Sequence, residues 1–476
     1  MNERNKKEFK QRCAYVKTIL VIGGGITGLS AMYELHKWKQ ENQSNVQLIL
    51  AESSSELGGK IRTVEKNGFI MEAGADSIVT RKAKNMSFIE ELGLEDKVVY
   101  NATGRSFIYT EGELKSIPAD SIFGIPMSLE SLAKSTLISA EGKVEALKDF
   151  YTTGEGFTKM DSIGSFLEHC FGKELVYKQI APVLSGVYSG SLSDLTIAST
   201  LPYLLDYKKE YGSVIRGLEA NKEAFQSKGN PKFLSFEKGL STLTEALAEK
   251  LEGATVLREH KAASIEKKGE RYLVSFDNGE SVEADEIIVS IPHTAASKLF
   301  MNQDLQAVFA RLQNSSLISV YVGFDVPDSV LPSEGTGFIT ANQNELSFNA
   351  CTWTSRKWKH TSKEGNLLVR LFYKSSHPAF SALRDLTEEE LLRTAMKDIH
   401  QSLGLTAEPL VSEVTDWSNS MPNYVITHPQ TVEELEKKLA ALYPGVLLAG
   451  CSYYGVGIPD CIENGQEAAR RLMQRL

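Results

Sequence analysis

The sequence predicts a chain of mixed class, α/β plus α+β. A Rossmann-like parallel-sheet domain is assembled from separated segments, interrupted by a helical insertion and joined by a mixed-sheet domain. Three observations predict this. The apolar β-branched run Ile19-Leu20-Val21-Ile22 stops in Gly23-Gly24-Gly25-Ile26-Thr27-Gly28 and continues into a helical pattern. Apolar residues then recur at three- and four-residue steps between about 85 and 215. Beyond 300, strand-like runs dominate, and the chain closes with a second strand, glycine loop and helix.

The first glycine loop reads as the phosphate end of a dinucleotide site. Gly23 permits the tight turn, Gly25 lets the backbone approach a pyrophosphate, and Gly28 lets the helix pack closely on the strand. Free N–H groups at the helix start then face the phosphates. A bare GxGxxG is a weak signal in a chain with 36 glycines, so the context carries the reading. Leu29, Met32, Tyr33, Leu35 and Trp38 follow at helical spacing, and a second apolar strand, Val46 to Ala51, ends at Glu52. There a carboxylate accepts both ribose hydroxyls of an adenosine and repels a 2′-phosphate, which argues against NADP. Hydrogen bonds to a charged group contribute about 1.5–3 kcal/mol, roughly 10- to 100-fold in affinity.

At 476 residues the chain has length for two or three domains, and 42% hydrophobic with 24% charged residues is the composition of a soluble globular protein. A net charge of −9 gives no general attraction to nucleic acid or anionic membranes, so an anionic ligand needs a local basic cluster. The polar segment Met1 to Arg12 lacks the apolar core of a signal peptide, and no apolar stretch is long enough to span a bilayer. Five scattered cysteines without CxxC point to a reducing, cytoplasmic setting. The eight histidines show no metal-ligand spacing, and His169 beside Cys170 reads as packing, so no metal is expected.

After Glu52 come Glu56-Leu57-Gly58-Gly59-Lys60 and Gly68-Phe69-Ile70-Met71-Glu72-Ala73-Gly74-Ala75-Asp76-Ser77. Two glycine clusters so near a dinucleotide site suggest backbone crowding against a flat, extended ligand. These residues resemble the flavoprotein family of amine oxidases, phytoene desaturases and protoporphyrinogen oxidases. The resemblance implies FAD as cofactor, held by Gly23, Gly25, Ile26, Thr27, Gly28, Glu52, Ser53, Gly59 and Lys60, with Gly74, Ala75, Asp76 and Ser77 beside the isoalloxazine. Ala75 departs from the proline usual in the porphyrinogen oxidases.

The predicted organisation is a cofactor domain over 15–84, 216–299 and 441–476, a helical, membrane-domain-like insertion over 85–215 and a substrate-binding sheet domain over 300–440. Within the insertion, helical patterns cover 128–137, 140–151 and 163–180. Leu129, Leu132, Leu137 and Ile138 suit core packing better than a surface patch. Pro182-Val183-Leu184-Ser185-Gly186-Val187-Tyr188-Ser189-Gly190 reads by itself as a helix end and turn. It is similar to a run in the porphyrinogen oxidases, above all the soluble type of Gram-positive bacteria.

Back in the cofactor domain, a helix is expected from Ser241 to Leu251 and a buried strand ending in a turn over Glu283 to Pro292. By the same resemblance Ala262 contacts the adenine, where the family has valine. In the sheet domain, Cys351 to Thr354 and Trp417 to Tyr424 match the Gram-positive porphyrinogen oxidases, with Trp417 near the flavin; Trp353 is open between core and site. The last segment, Val446 to Glu463, supplies a second strand, glycine loop and helix, and Gly455, Val456, Gly457 and Ile458 match the family segment that closes over the flavin ring and pyrophosphate.

Only one dinucleotide fingerprint is present, so molecular oxygen is the expected oxidant. The resemblance implies oxidation of a porphyrinogen to a porphyrin in haem biosynthesis, chiefly coproporphyrinogen III to coproporphyrin III, with protoporphyrinogen IX also accepted and a ferrochelatase-type enzyme as pathway partner. The flavin does the chemistry and the protein positions it. No catalytic base stands out in the sequence. Propionates need cations, and Arg81-Lys82, with Lys84, is the basic cluster best placed to bind substrate, its plain alternative being a solvated helix start. The rivals are an amine oxidase or phytoene desaturase, and a non-catalytic escort of the GDP-dissociation-inhibitor kind.

Overall fold

The computed structural model describes residues 16–80, 84–102, 105–187, 192–225, 233–332, 334–341 and 345–476. Among them, β1 (Thr18–Ile22), β2 (Gln47–Ala51), β3 (Thr255–Leu257), β4 (Glu286–Val289) and β5 (Val446–Leu448) form one parallel sheet in the order β3-β2-β1-β4-β5. Chain direction around the sheet reverses between β1 and β4, the place where open α/β sheets leave a crevice for a ligand. Helix α1 (Ile26–Glu41) leaves β1 and α2 (Ile458–Met473) follows β5.

Residues alternate across this sheet. Ile19, Val21, Leu48, Leu50 and Ile288 pack under α1 and α2 with Leu29, Met32, Leu35, Ala469 and Leu472. Leu20, Ile22, Ile49, Ile287 and Val289 face a second core that includes Tyr272, Val274, Phe300 and Leu435. A sheet covered on both faces needs apolar residues at every position, which is why β1 reads as an unbroken apolar run. The two helices cross closely: a Cβ on Gly465 would overlap the Thr27 carbonyl.

Among the described residues the second sheet has seven strands, in the order Pro409–Asn423, Gln313–Pro327, Asn366–Lys374, Ala350–Trp353, Gly337–Thr340, Ser106–Thr110 and Glu113–Ser116. One face packs on the amphipathic Glu388–Leu403 helix through Ile318, Val320, Leu371 and Ile399. Trp353 is fully buried on that side against Phe107 and belongs to the core.

The segment 85–215 is thus not helical throughout. Ser106–Thr110 pairs in parallel with Gly337–Thr340, and Val98–Tyr100 pairs with Phe233–Phe236. These strands are too short to show a period of two, and their partners lie well over one hundred residues away in sequence. The remainder of the insertion has its own core of Phe166, Leu167, Ile180, Leu204 and Leu218. Leu132, Leu137 and Ile138 are buried while Leu129 is exposed. Cys170 is buried, and the His169 ring lies on Phe157 with Nε2 against the Thr153 carbonyl at 2.9 Å.

Candidate active site

The crevice is built first by the turn after β1. Gly23 has φ +107°, and a side chain there would meet Ile291 and Ser290 at under 3 Å. A Cβ on Gly28 would overlap the Gly23 carbonyl, so α1 can lie on the turn only without one. Gly25 differs: an added Cβ would have nothing nearer than the Gly58 carbonyl and Gly59 Cα at 4.0 Å. It is the N-cap of α1, contributes no side-chain cap, and leaves the N–H groups of Ile26, Thr27 and Gly28 at an electropositive helix end with no acidic residue in the first turn.

Glu52 closes the adjacent strand end. Its Oε2 accepts from the Gly24 N–H at 2.6 Å, and Oε1 accepts from the Ser54 N–H at 2.9 Å and the Ser53 and Ser54 hydroxyls at 2.9 and 2.7 Å. Burial opposes ionisation, but these donors outweigh it and hold the carboxyl below the ordinary glutamate range. Ser53 is exposed beside it. Ala262, half-buried at the start of the Ala262–Lys268 strand, packs on the edge of the second core.

A second wall runs beside the loop. Gly25 and Gly58 form a parallel bridge, and a Cβ on Gly59 would lie 3.1 Å from Gly25 Cα. The Ala75 N–H donates to the Lys60 carbonyl at 3.1 Å, and a Cβ on Gly74 would overlap that carbonyl. The half-buried stretch Gly74 to Ser77 is therefore laid against Gly59-Lys60, while Trp417 Nε1 donates to the Ala73 carbonyl at 2.9 Å from the sheet side. Lys60 Nζ donates to the Ser420 carbonyl and lies 3.8 Å from Cys451 Sγ.

The C-terminal glycine loop forms the third side. Tyr424 stacks on His428 at 4.0 Å, donates its hydroxyl to the Cys451 carbonyl at 2.7 Å and accepts from the Gly455 N–H at 2.7 Å. This ties the loop to the end of the Pro409–Asn423 strand. Gly455, Val456 and Gly457 lead into α2, which begins at Ile458 with Gly457 as N-cap and no side-chain cap; Val456 is exposed and Ile458 buried.

Behind Gly74 lies a buried polar cluster. Arg370, 2% exposed, donates to the Gly74 carbonyl at 3.0 Å and the Ser319 hydroxyl at 3.3 Å, with its guanidinium 4.9 Å from the Tyr321 ring and 4.6 Å from Phe372. Together with Glu72, Asp76, Tyr321 and Thr354 it borders a pocket of about 10 Å³, room for one water. Burial would raise the Asp76 carboxyl, yet the Lys357 and Arg370 cations outweigh it and hold it at about 2. For Glu72, burial wins over hydrogen bonds from the Leu240 N–H at 2.7 Å and the Thr63 hydroxyl at 2.9 Å, raising it to about 7. Between the unfolded value of 4.5 and about 7 the folded chain keeps a proton the unfolded chain has lost, so this group lowers stability as pH rises across that window. Glu72→Gln stays neutral, and its unfolding free energy relative to wild type is expected to climb by on the order of 2–4 kcal/mol from about pH 4 to pH 8. Denaturant titration at both pH values checks this, and a constant difference would place Glu72 in the ordinary carboxylate range.

The structure thus brings Gly23 to Gly28, Glu52, Ser53, Gly59, Lys60, Gly74 to Ser77, Trp417 and Gly455 to Ile458 around one crevice, while Ala262 is placed only on the edge of the second core, paired with Phe276. Arg81 and Lys82, and Tyr188 to Gly190 of the insertion motif, lie outside the described residues. Sequence reasoning missed Arg370 and Tyr424. The signal for Arg370 was a charge inside the apolar run Leu367 to Tyr373, and Tyr424 stood at the end of a motif quoted for Trp417.

A β3-β2-β1-β4-β5 parallel sheet with a glycine turn at the start of α1, faced by a mixed sheet, defines a dinucleotide-binding class of protein. Residues 26–473 match the family described as flavin containing amine oxidoreductase, and the chain belongs to that family. It is 33% identical over 457 residues to the coproporphyrinogen III oxidase of Bacillus subtilis, covering 95% of this chain and 97% of that one. It is 31% identical over 470 residues to the enzyme of that name from Staphylococcus aureus, covering 97% and 100%. A crystal structure assigned as a protoporphyrinogen oxidase of Exiguobacterium sp. 255-15 superimposes with TM-score 0.87 at 30% identity, covering 97% and 100%. The chain is accordingly a flavin-dependent oxidoreductase with FAD as its cofactor. The open space at Gly25 and the uncapped start of α1, with no acid in its first turn, fit the pyrophosphate of such a cofactor, whereas α2 carries Asp460 in its first turn.

Proposed function

We propose that this chain oxidises coproporphyrinogen III to coproporphyrin III in haem biosynthesis, accepts protoporphyrinogen IX as well, and uses molecular oxygen as the final acceptor. The reading is carried by the end-to-end likeness to the Bacillus and Staphylococcus enzymes of that name. The crevice supports it by joining a dinucleotide site to a half-buried sheet face. The product is a carboxylated porphyrin, which suits a metal-inserting enzyme of ferrochelatase type as the next in line. A cytoplasmic setting accords with the four free cysteines among the described residues; among those residues no helix is long and apolar enough to cross a membrane.

When bound, FAD supplies the acceptor for the two electrons removed in each of the three rounds that turn a porphyrinogen into a porphyrin. The chain's part is binding and orientation. Ile26, Thr27 and Gly28 at the start of α1 would hold the pyrophosphate, and Gly457 and Ile458 at the start of α2 would close the site beside it. Glu52, oriented by Gly24 and Ser54, would hold the ribose beside Ser53, and Ala262 would pack on the adenine. Gly74 to Ser77, Gly59, Lys60, Trp417 and Gly455 with Val456 wall the ring. Arg81 and Lys82 are proposed to meet propionates. A side chain acting as base is not required, because aromatisation drives the reaction and the protons leave from substrate pyrrole nitrogens.

Glu52→Ala removes the acceptor of two backbone N–H groups and two hydroxyls, and FAD affinity is expected to fall by about 30- to 100-fold in a flavin-fluorescence titration. Because the Glu52 carboxyl is depressed, its contribution is present above the unfolded value of 4.5 and is lost as pH falls through the folded one. The function itself is tested by offering the aerobic, flavin-loaded enzyme coproporphyrinogen III, protoporphyrinogen IX and simple amines while following porphyrin fluorescence and peroxide. Turnover of both porphyrinogens is expected; turnover of amines alone overturns the proposal.

A further inference from the structure

The seven-stranded sheet has one core face and one crevice face, and the strand Asn366–Lys374 shows both. Leu367, Val369, Leu371 and Tyr373 enter the core with Ile318, Val320 and Val322. Arg370, Phe372 and Lys374 alternate with them and take the other side, where Arg370 reaches Gly74. On that side the register sets Trp417, Leu317 and Lys374 in one cross-strand row, and Ser319, Phe372, Ala350 and Ile339 in the next. Leu317, Phe372, Ala350 and Ile339 are only half-buried although each strand has neighbours on both sides. They form an open apolar floor, suited to a flat, largely apolar ligand.

Lys374 stands at the rim of this floor, two strand spacings or about 10 Å from Trp417. Its Nζ donates to the Ser185 carbonyl at 3.0 Å, on the Ala181–Val187 helix that packs against Gly337–Thr340. Among the described residues it has no carboxylate partner, and burial alone acts on its ammonium, pushing it below the usual lysine range. A cation placed at the edge of an apolar floor without an anion is costly unless an anion arrives there.

We infer that Lys374 binds a carboxylate of the substrate, at the junction of sheet and insertion, and so favours polycarboxylate porphyrinogens. This rests on the porphyrinogen reading above. A charge-assisted bond of this kind is expected to change affinity about tenfold or more.

The test uses flavin-loaded wild type, Lys374→Met and Lys374→Arg, titrated by tryptophan quenching with coproporphyrin III and with its tetramethyl ester in one detergent buffer. Lys374→Met is expected to bind the tetraacid about tenfold more weakly and the ester as wild type does, and Lys374→Arg to restore tetraacid binding. Lys374→Gln takes the place of the Met variant if that one loses flavin or unfolds. A lysine that only ties Ser185 to the sheet would lower the melting temperature and leave both affinities alone; that result, or equal loss of acid and ester, overturns the inference. Wild type that binds neither porphyrin overturns the porphyrinogen reading itself, an outcome the comparison of variants cannot produce.

Discussion

Gly28→Ala is expected to purify as a destabilised protein almost free of flavin. Its new methyl group would lie 1.9 Å from the Gly23 carbonyl oxygen and 2.6 Å from Ser290 Oγ. Neither obstacle is the flexible end of a side chain, because the carbonyl is backbone and Ser290 Oγ is held by the Ile22 and Gly23 carbonyls at 2.9 and 3.0 Å. The start of α1 must therefore move off β1, at a cost of about 3 kcal/mol or more, with the N–H groups of Ile26 and Thr27 carried out of register with the pyrophosphate. FAD affinity should fall at least roughly 100-fold. Gly25→Ala is the informative partner, since its methyl group meets only open space on the protein side. It should keep the apoprotein melting temperature of wild type and still lose flavin, because the space it fills is the one left for the ligand. Flavin-to-protein absorbance ratios and apoprotein melting curves separate the two, and a Gly28→Ala protein with full flavin and an unchanged melting curve would remove the close packing from the account.

The contrast between those glycines shows what kind of information a sequence holds. Gly23, Gly25 and Gly28 lie within six residues, their roles are local, and spacing alone suffices to assign them. The parallel sheet was legible for a related reason: β1 is covered on both faces, so its apolar run has no gaps. Ser106–Thr110 was not legible as a sheet strand, since what makes it one is pairing with Gly337–Thr340 far along the chain, and its five residues carry no decisive pattern. The same holds for Trp417, which only the family resemblance brought near the crevice; the structure supplies the reason, a hydrogen bond to the Ala73 carbonyl 344 residues away. Arg370 was read past because a single charge in an apolar strand says nothing about its partners. Its partners outside its own strand come from two distant segments, Glu72 to Asp76 and Ser319 to Tyr321.

Those partners make Arg370→Met the second large effect, and an expected loss of about 3–5 kcal/mol in stability together with weaker flavin binding. The guanidinium joins the Gly74 carbonyl to Ser319, lies between the rings of Tyr321 and Phe372, and lowers the carboxyls of Glu72 and Asp76. Methionine can fill the space between the rings but supplies no donor, so the Gly74 carbonyl loses its bond. Two acids also lose a nearby cation. Since Arg370 favours their ionised forms, its removal hurts most where they are ionised, and the deficit should shrink as pH falls from about 8 to about 5, as Glu72 takes up its proton; in wild type Asp76, held at about 2 by Lys357 and Arg370 together, stays charged across that range. Arg370→Lys keeps the charge but loses the planar fork and the stacking, so it should fall between wild type and the Met variant. Denaturant unfolding of the three proteins at both pH values decides the matter. A deficit independent of pH would mean that packing alone is lost; full stability of the Met variant would mean that the Gly74 wall is held by Trp417 and Lys60 without help from the buried cluster behind it.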